Sequence, residues 1–437
     1  MQTLNPRWWK VLGACLGLSL TLTAGWCYGQ KPGERSAQTK HPLIVHEWGT
    51  FLSVQGSNGE ALGGMVDSDE VLPLFVEERG IQAWQRSMMS QKMETPVTYF
   101  YTDQPRDVAV RVDMPKGVLT DWFPAVRNFG PDLNWKGSPA GSFLDWTVVH
   151  LTPSSTAPPS KKEAAGLTPP PVGPEQIWRF ARQTDSALVR VRSVNPKAVV
   201  REQLVQDQFE KFLFYRGLGT FTLPLAIRST ESAQDGVHLV LQNNDSQPLH
   251  GLFAVSVEGQ NIRFAALDDL ATRARRDVAV GSLLSHPLPL QEGVVQVKSR
   301  VADALVAAGL YAKEAQAMVN TWEKSYFRTA GLRVIYTLPR SMVDGIIPIQ
   351  VTPAPDSLVR VMVGRVEVLT PAQERRLEQL VIDLGASEFA TREAATAGLA
   401  RLGRIGEPCL HRVLEMTKDP EVRARAQVLL GKIAAGN

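Results

Sequence analysis

Short apolar or alternating runs, each closed by turn-forming residues, recur along most of this chain and limit what it can fold into. The run begun by Leu43-Ile44-Val45 reads as a strand entering the core, and Gln55-Gly56-Ser57-Asn58-Gly59 supplies a turn beyond it, so that residues 43–54 read as the first arm of a hairpin. Gly49 inside that arm marks a bulge or a close backbone approach. Residues 71–90 read as helical or irregular. Residues 97–101 and 108–112 read as strands with Asp103-Gln104-Pro105-Arg106 as the turn between them. Residues 187–192 alternate, and residues 237–241 and 252–257 look like partners joined through Asn243-Asn244-Asp245-Ser246. Short strands at such regular spacing point to a sandwich or barrel-like sheet.

The period changes twice. Between residues 297 and 327, Val301, Leu305, Leu310, Ala315, Met318, Val319 and Trp322 fit two helices broken at Gly309. Strands return at residues 332–338 and 358–368. Thr370-Pro371-Ala372-Gln373 is then a capping box with Pro at the first helical position, followed by an apolar face of Leu377, Leu380, Val381 and Leu384. The expected class is α+β: a large, mostly antiparallel, sandwich-like β body with a helical insertion at 297–327, plus a small C-terminal α-helical module. The expected divisions are a signal peptide at 1–29, an aromatic-rich β region at 30–152, a Pro-rich loop or linker at 153–176, a second β-rich region at 177–369 and the helical module at 370–437.

The first residues read as a secretory signal. Arg7 and Lys10 precede an apolar run at 11–24, and small residues at Thr23 and Gly25, or Cys27 and Gly29, offer cleavage sites. Cleavage after Gly29 would take the net charge from +3 to +1 and leave Cys409 as the single thiol. Such a chain carries no electrostatic footprint for nucleic acid and cannot form an internal disulfide. The expected location is secreted or periplasmic, with no membrane span unless the signal stays uncleaved.

A repeat is visible at the other end. Ala390-Thr391-Arg392-Glu393-Ala394-Ala395 followed by Leu399 matches Glu421-Val422-Arg423-Ala424-Arg425-Ala426 followed by Leu430, at an offset of 31 residues. With Leu402-Gly403, Pro408 and Asp419-Pro420, residues 388–434 resemble HEAT- or armadillo-type repeats. The resemblance implies a packing or protein-interaction surface, with a protein partner or docking on the body, and brings no catalytic residues. His46-Glu47-Trp48-Gly49-Thr50-Phe51 and Lys92-Met93-Glu94-Thr95-Pro96 resemble secreted bacterial proteins of unassigned activity, a resemblance that transfers no reaction.

His46-Glu47 is the densest pair of candidate chemical groups, as a metal ligand beside a carboxylate or as an acid/base pair. Adjacent strand residues point to opposite faces, so the two share a site only if the backbone bulges. Buried structural roles for both are the competing reading. Lys92 and Glu94 share a face and form either a salt bridge or, with Glu47, a polar cleft. Asp67, Asp69 and Glu70 read as solvated loop acids. Arg216 is a candidate for an anionic ligand, and Lys92 and Trp48 for ligand contacts. Trp122, Trp135 and Trp146 could stack on sugars, although such spacing is more usual for a core. Trp322 and Tyr326 share a helix face and read as core.

The sequence shows no Gly-rich phosphate loop, no GxSxG elbow, no Cys nucleophile outside the helical module and no βαβ unit opening on a Gly-rich turn, and it assigns no cofactor. The expected function is therefore a secreted or periplasmic non-catalytic binding or scaffold protein. Two alternatives stand beside it: a hydrolase, metal-dependent or not, using His46, Glu47 and Glu94, and a carbohydrate-binding protein.

Overall fold

The computed structural model describes residues 41–64, 71–80, 88–132, 137, 140–155, 168–192, 207–232, 234 and 236–434. The signal segment, the acids Asp67, Asp69 and Glu70, Trp135 and residues 156–167 of the Pro-rich stretch lie outside the described residues. The class is α+β, as expected.

One large sheet organises the body. Its eight long strands are β1 (Ile44–Gln55), β2 (Gln91–Tyr101), β3 (Gly117–Phe123), β4 (Leu213–Gly219), β5 (His250–Glu258), β6 (Asn261–Leu267), β7 (Gly331–Thr337) and β8 (Ser357–Val368). They lie in the order β6-β5-β7-β8-β1-β2-β4-β3, with two-residue strands, Leu288–Pro289 and Glu77–Glu78, at the edges. Every neighbouring pair is antiparallel except β1 and β8, which run parallel from Ile44 opposite Ser357 to Gln55 opposite Val368. A six-stranded sheet (with Arg106–Met114 and Ser142–Thr152) and a three-stranded sheet (Leu225–Ser232, Gly236–Asn243, Arg275–Ala279) cover one face of it. Phe51, Met93, Tyr215 and Met362 of the large sheet share that core with Val110, Trp146, Val189, Ile227 and Leu241 of the smaller ones.

The strand expectations hold better for position than for partner. β1 does not pair back across the Gln55–Gly59 turn as a hairpin arm, beyond a single bridge from Gln55 to Ala61; its neighbours are β2 and β8. The Asp103–Arg106 turn joins strands of different sheets, because β2 belongs to the large sheet and Arg106–Met114 to the six-stranded one. Gly236–Asn243 and His250–Glu258 are likewise not partners: the first pairs with Leu225–Ser232 and Arg275–Ala279, the second with β6 and β7. Asn243 explains the divergence. Its amide donates to the carbonyls of Gln247, Leu270 and Ala271 while its Oδ1 accepts from the Asp245 amide, so the loop anchors to a neighbouring loop and not to a tight turn.

Helices cover the other face. α1 (Leu290–Ala307) buries Val294, Val297, Val301 and Leu305, and α2 (Ala312–Trp322) buries Ala315, Met318, Val319 and Trp322. Between them Gly309 takes φ +116, a conformation open to glycine at little cost. A six-residue π-helix, Glu323–Arg328, extends α2. After β7 a short helix, α3 (Arg340–Ile346), and the strand Ile349–Thr352 fill a stretch for which the sequence pattern predicts no element.

The C-terminal module consists of α4 (Pro371–Asp383), α5 (Phe389–Leu402), α6 (Glu407–Met416) and α7 (Pro420–Ala434). The capping box forms: Gln373 N donates to Thr370 Oγ1 at 3.3 Å, and Thr370 N donates to Gln373 Oε1 at 2.9 Å. The two segments matched at a 31-residue offset are the helices α5 and α7, joined by Arg392–Glu421 and Arg425–Glu393 pairs, both at 2.8 Å. Leu52 and Val54 of β1 enter the module's core beside Leu377, Leu399, Leu410 and Leu429. The first strand thus contributes side chains to both helix-packed cores, Trp48 to one and Leu52 and Val54 to the other.

Candidate functional site

Residues on the helix-covered face of the large sheet alternate with residues on the sheet-covered face, and this divides the opening motif. His46 points toward the helices, where Nδ1 hydrogen-bonds Glu314 Oε2 at 2.8 Å. Glu314, fully buried on α2, also accepts from the Tyr101 hydroxyl and the Tyr311 amide, both at 2.7 Å. The His46 ring lies 4.4 Å from that of Tyr311. Glu47 points the other way. Its two oxygens accept from the Tyr215 hydroxyl and from Arg360 Nε, while Arg360 also reaches Asp344 and the carbonyl of Ile347, each at 2.7 Å. Burial pushes the Glu47 carboxyl up, against the pull of the Arg360 guanidinium. His46 and Glu47 therefore do not meet. Among the described residues no three His, Cys, Asp or Glu side chains gather as a metal-ligand group.

The bulge expected at Gly49 is present. β1 and β2 pair Trp48 with Val97 and Thr50 with Glu94, so Gly49 alone opposes Thr95 and Pro96. A Cβ on Gly49 would come within 2.9 Å of Pro96 Cα and of Met362 Sδ. Thr95 adopts φ +47, which a β-branched residue rarely takes and which costs about 1–3 kcal/mol. The neighbouring strands slip at the same level, between Phe214 and Gly217 on β4 and between Arg216 and Gly217 against β3. HEWGT and METP are thus two sides of one defect in the sheet.

Below that defect a seam of charge crosses six adjacent strands on the helix-covered face. It runs from Asp121 (β3) through Arg216 (β4), Lys92 and Glu94 (β2) and Thr50 (β1) to Arg365 and Glu367 (β8) and Arg333 (β7). All but Asp121 are buried. Lys92 Nζ lies 2.9 Å from Glu94 Oε1, and Arg333 Nε 2.9 Å from Glu367 Oε1. Arg333 further donates to the carbonyls of Tyr326 and Thr329, at 2.6 and 2.8 Å, and the Arg365 guanidinium stands 4.3 Å from the Tyr326 ring centre. The expected shared face of Lys92 and Glu94 is realised as this pair, and Arg216 sits opposite Asp121. A cavity of about 20 Å3, room for roughly one water, lies between Glu94, Thr95, Arg216, Trp322 and Tyr326. Trp48 is buried beneath α2, Trp322 stacks on Tyr326 at 4.5 Å, and Trp122 and Trp146 are fully buried in the core, so neither presents a face to a sugar.

Burial alone would raise the Glu94 carboxyl, but Lys92, Arg365 and Arg216 hold it below the ordinary value of 4.5. Glu367 is held low in the same way by Arg333 and Arg365. A carboxylate lowered by folding stabilises the native state above that ordinary value, and the stabilisation is lost as pH falls through the lowered one. Asp121, raised by burial against the pull of Arg216, works in the opposite sense as pH rises above 3.8. The melting temperature should accordingly fall on acidification below about pH 4.5, and less steeply in Glu94→Gln. An identical slope in that variant would remove Glu94 from the explanation.

A second feature lies on the C-terminal module. A groove of about 690 Å3 runs between α4 and α6, floored by Val381, Val413 and Val422 and rimmed by Ile382 and Met416, which are 69% and 76% exposed. Glu378 and Asp419 stand on its edge together with Arg412. Beyond the apolar positions of α4, no sequence pattern signals this groove.

No family model matches the sequence, and no curated protein does. Among solved structures the chain is similar to the mu-homology domain of zebrafish (Danio rerio) Fcho1 with a bound Eps15 peptide, at 8% identity and TM-score 0.29 over 77% of this chain and 98% of that one. It is also similar to the yeast delta-COP-I mu-homology domain, at 8% identity and TM-score 0.26 over 76% and 98%. Similarity at that level transfers neither a fold family nor a binding partner. No described helix is long and apolar enough to cross a membrane.

Proposed function

We propose that this protein is an exported binding or scaffold protein whose C-terminal helices, read as HEAT-like repeats, hold a partner protein in the groove between α4 and α6. The observation that carries the proposal is the pairing of an open apolar floor with large exposed apolar side chains, Ile382 and Met416, at its rim. The groove's volume lies within the range of about 300–1,000 Å3 typical of binding pockets. The occupant that fits is an amphipathic helix of a second protein, with apolar anchors three and four residues apart. Its basic side would face Glu378 and Asp419, and an acidic residue would face Arg412. The catalytic alternative draws no comparable support, since His46, Glu47 and Glu94 are buried and committed to Glu314, Arg360 and Lys92 respectively.

Selection of amphipathic helical peptides on the purified protein tests this reading. Selected peptides should lose about tenfold or more in affinity for Met416→Asp and Ile382→Asp. Because both side chains are exposed, folding stability should change by no more than about 0.5 kcal/mol. A selection that yields no binders, or binders indifferent to both substitutions, refutes the groove as the contact.

A further inference from the structure

A second cleft, separate from the apolar groove, lies where the π-helix Glu323–Arg328 faces the turn between α5 and α6. Its volume is about 300 Å3. Lys324 and Arg328 come from one side and Arg401 and Arg404 from the other, and its lining includes no carboxylate. We propose that this cleft binds a small molecule carrying more than one phosphate or sulfate group.

Local structure explains why the four cations converge. The π-helix hydrogen-bonds over five residues rather than four, a rare turn that is frequent at functional sites. Here it turns Lys324 and Arg328 to the same flank. Opposite them, α5 ends at Gly403, whose φ of +56 reverses the chain and brings Arg404 back beside Arg401. A basic residue near a helix C-terminus has an ordinary role in offsetting the helix dipole, which accounts for Arg401 and Arg404. Arg328 closes the π-helix and pairs with Glu323, so the same roles cover it, but they leave Lys324 standing exposed across the cleft.

Neighbouring acids offset only two of the four cations. Glu323 binds Arg328 at 2.8 Å but is shared with Lys298, and Glu407 lies 3.0 Å from Arg404 at the buried end. Lys324 and Arg401 are exposed. Ser325 in the lining offers a hydroxyl. Facing cations repel one another, and a multiply charged oxyanion between them relieves that repulsion while accepting charge-assisted hydrogen bonds from both walls. The volume exceeds what one tetrahedral oxyanion fills, which is why the proposal specifies more than one.

Isothermal titration of the purified chain with inorganic pyrophosphate and with a sulfated disaccharide tests the site and distinguishes the two sources of the same chemistry. Saturable binding of one ligand per chain by either is expected, with the tighter of the two identifying the source. Lys324→Gln and Arg401→Gln should each weaken binding about tenfold, with melting of the free protein unchanged because both side chains are exposed. Absence of saturable binding to both probes overturns the proposal. So does an affinity unchanged in the folded double variant, which would leave the cations as partners of the helix end only.

Discussion

Glu47→Ala should destabilise the protein by about 3 kcal/mol or more, read as a drop in unfolding free energy from urea titration at constant slope. The magnitude follows from what is left behind. Glu47 is fully buried between Arg360 and Tyr215, and the Arg360 side chain is itself inaccessible to water. Removing the carboxylate strands that guanidinium on Asp344, whose side chain is half-exposed, and on one carbonyl. A buried charge deprived of its partner costs far more than the pair contributes, because the desolvation penalty remains while the attraction is gone. Glu47→Gln keeps the shape and one acceptor, so its loss should be smaller. A change below about 1 kcal/mol for the alanine variant would mean that Arg360 finds water or a new partner, and the pair would lose its standing as the link between β1 and β8.

Arg333→Met is the second large effect, at about 3–5 kcal/mol. Arg333 is fully buried and closes four neighbours at once: it holds Glu367 at 2.9 Å and the carbonyls of Tyr326, Thr329 and Ala330 at the end of the π-helix. Those carbonyls have left the ordinary helical ladder, so the guanidinium is what satisfies them. The methionine fills the volume without any donor. Pairing it with Glu367→Leu discriminates charge from packing: the double variant should lose less than the sum of the two singles, because Glu367→Leu alone leaves Arg333 without its carboxylate and Arg333→Met alone leaves Glu367 with Arg365 only. Strict additivity would show that the two side chains act independently.

Local rules in the sequence carried a good deal of this. Alternation along a strand was enough to separate His46 from Glu47, and the glycine at 49 was enough to place a bulge. The capping box at Thr370 and the 31-residue offset between α5 and α7 are equally local. Strand pairing was not legible, because alternation reports which face a residue takes and says nothing of which strand lies beside it. That is how residues 237–241 and 252–257 came to look like partners while belonging to different sheets. The partners of the candidate residues were hidden for the same reason: Glu314 lies on a helix 268 residues from His46, and Arg360 lies 313 residues from Glu47. One signal was present. Arg333, and Arg360, Arg365 and Glu367 on the last strand, interrupt runs of Val, Ile and Met that otherwise read as fully buried, and a charge inside such a run requires an opposite charge on an adjacent strand.

The parallel pairing of β1 with β8 places the first strand of the body beside the last, in the middle of the largest sheet. During synthesis β1 can find β2 early, but its other edge has no complement until the ribosome has passed residue 368. Closing that gap joins segments more than three hundred residues apart, the kind of long-range contact that slows folding and cannot be made in stages. Completion of the large sheet therefore waits on the arrival of β8. A chain halted anywhere before residue 357 carries an open, apolar strand edge, a template for pairing with whatever other strand it meets.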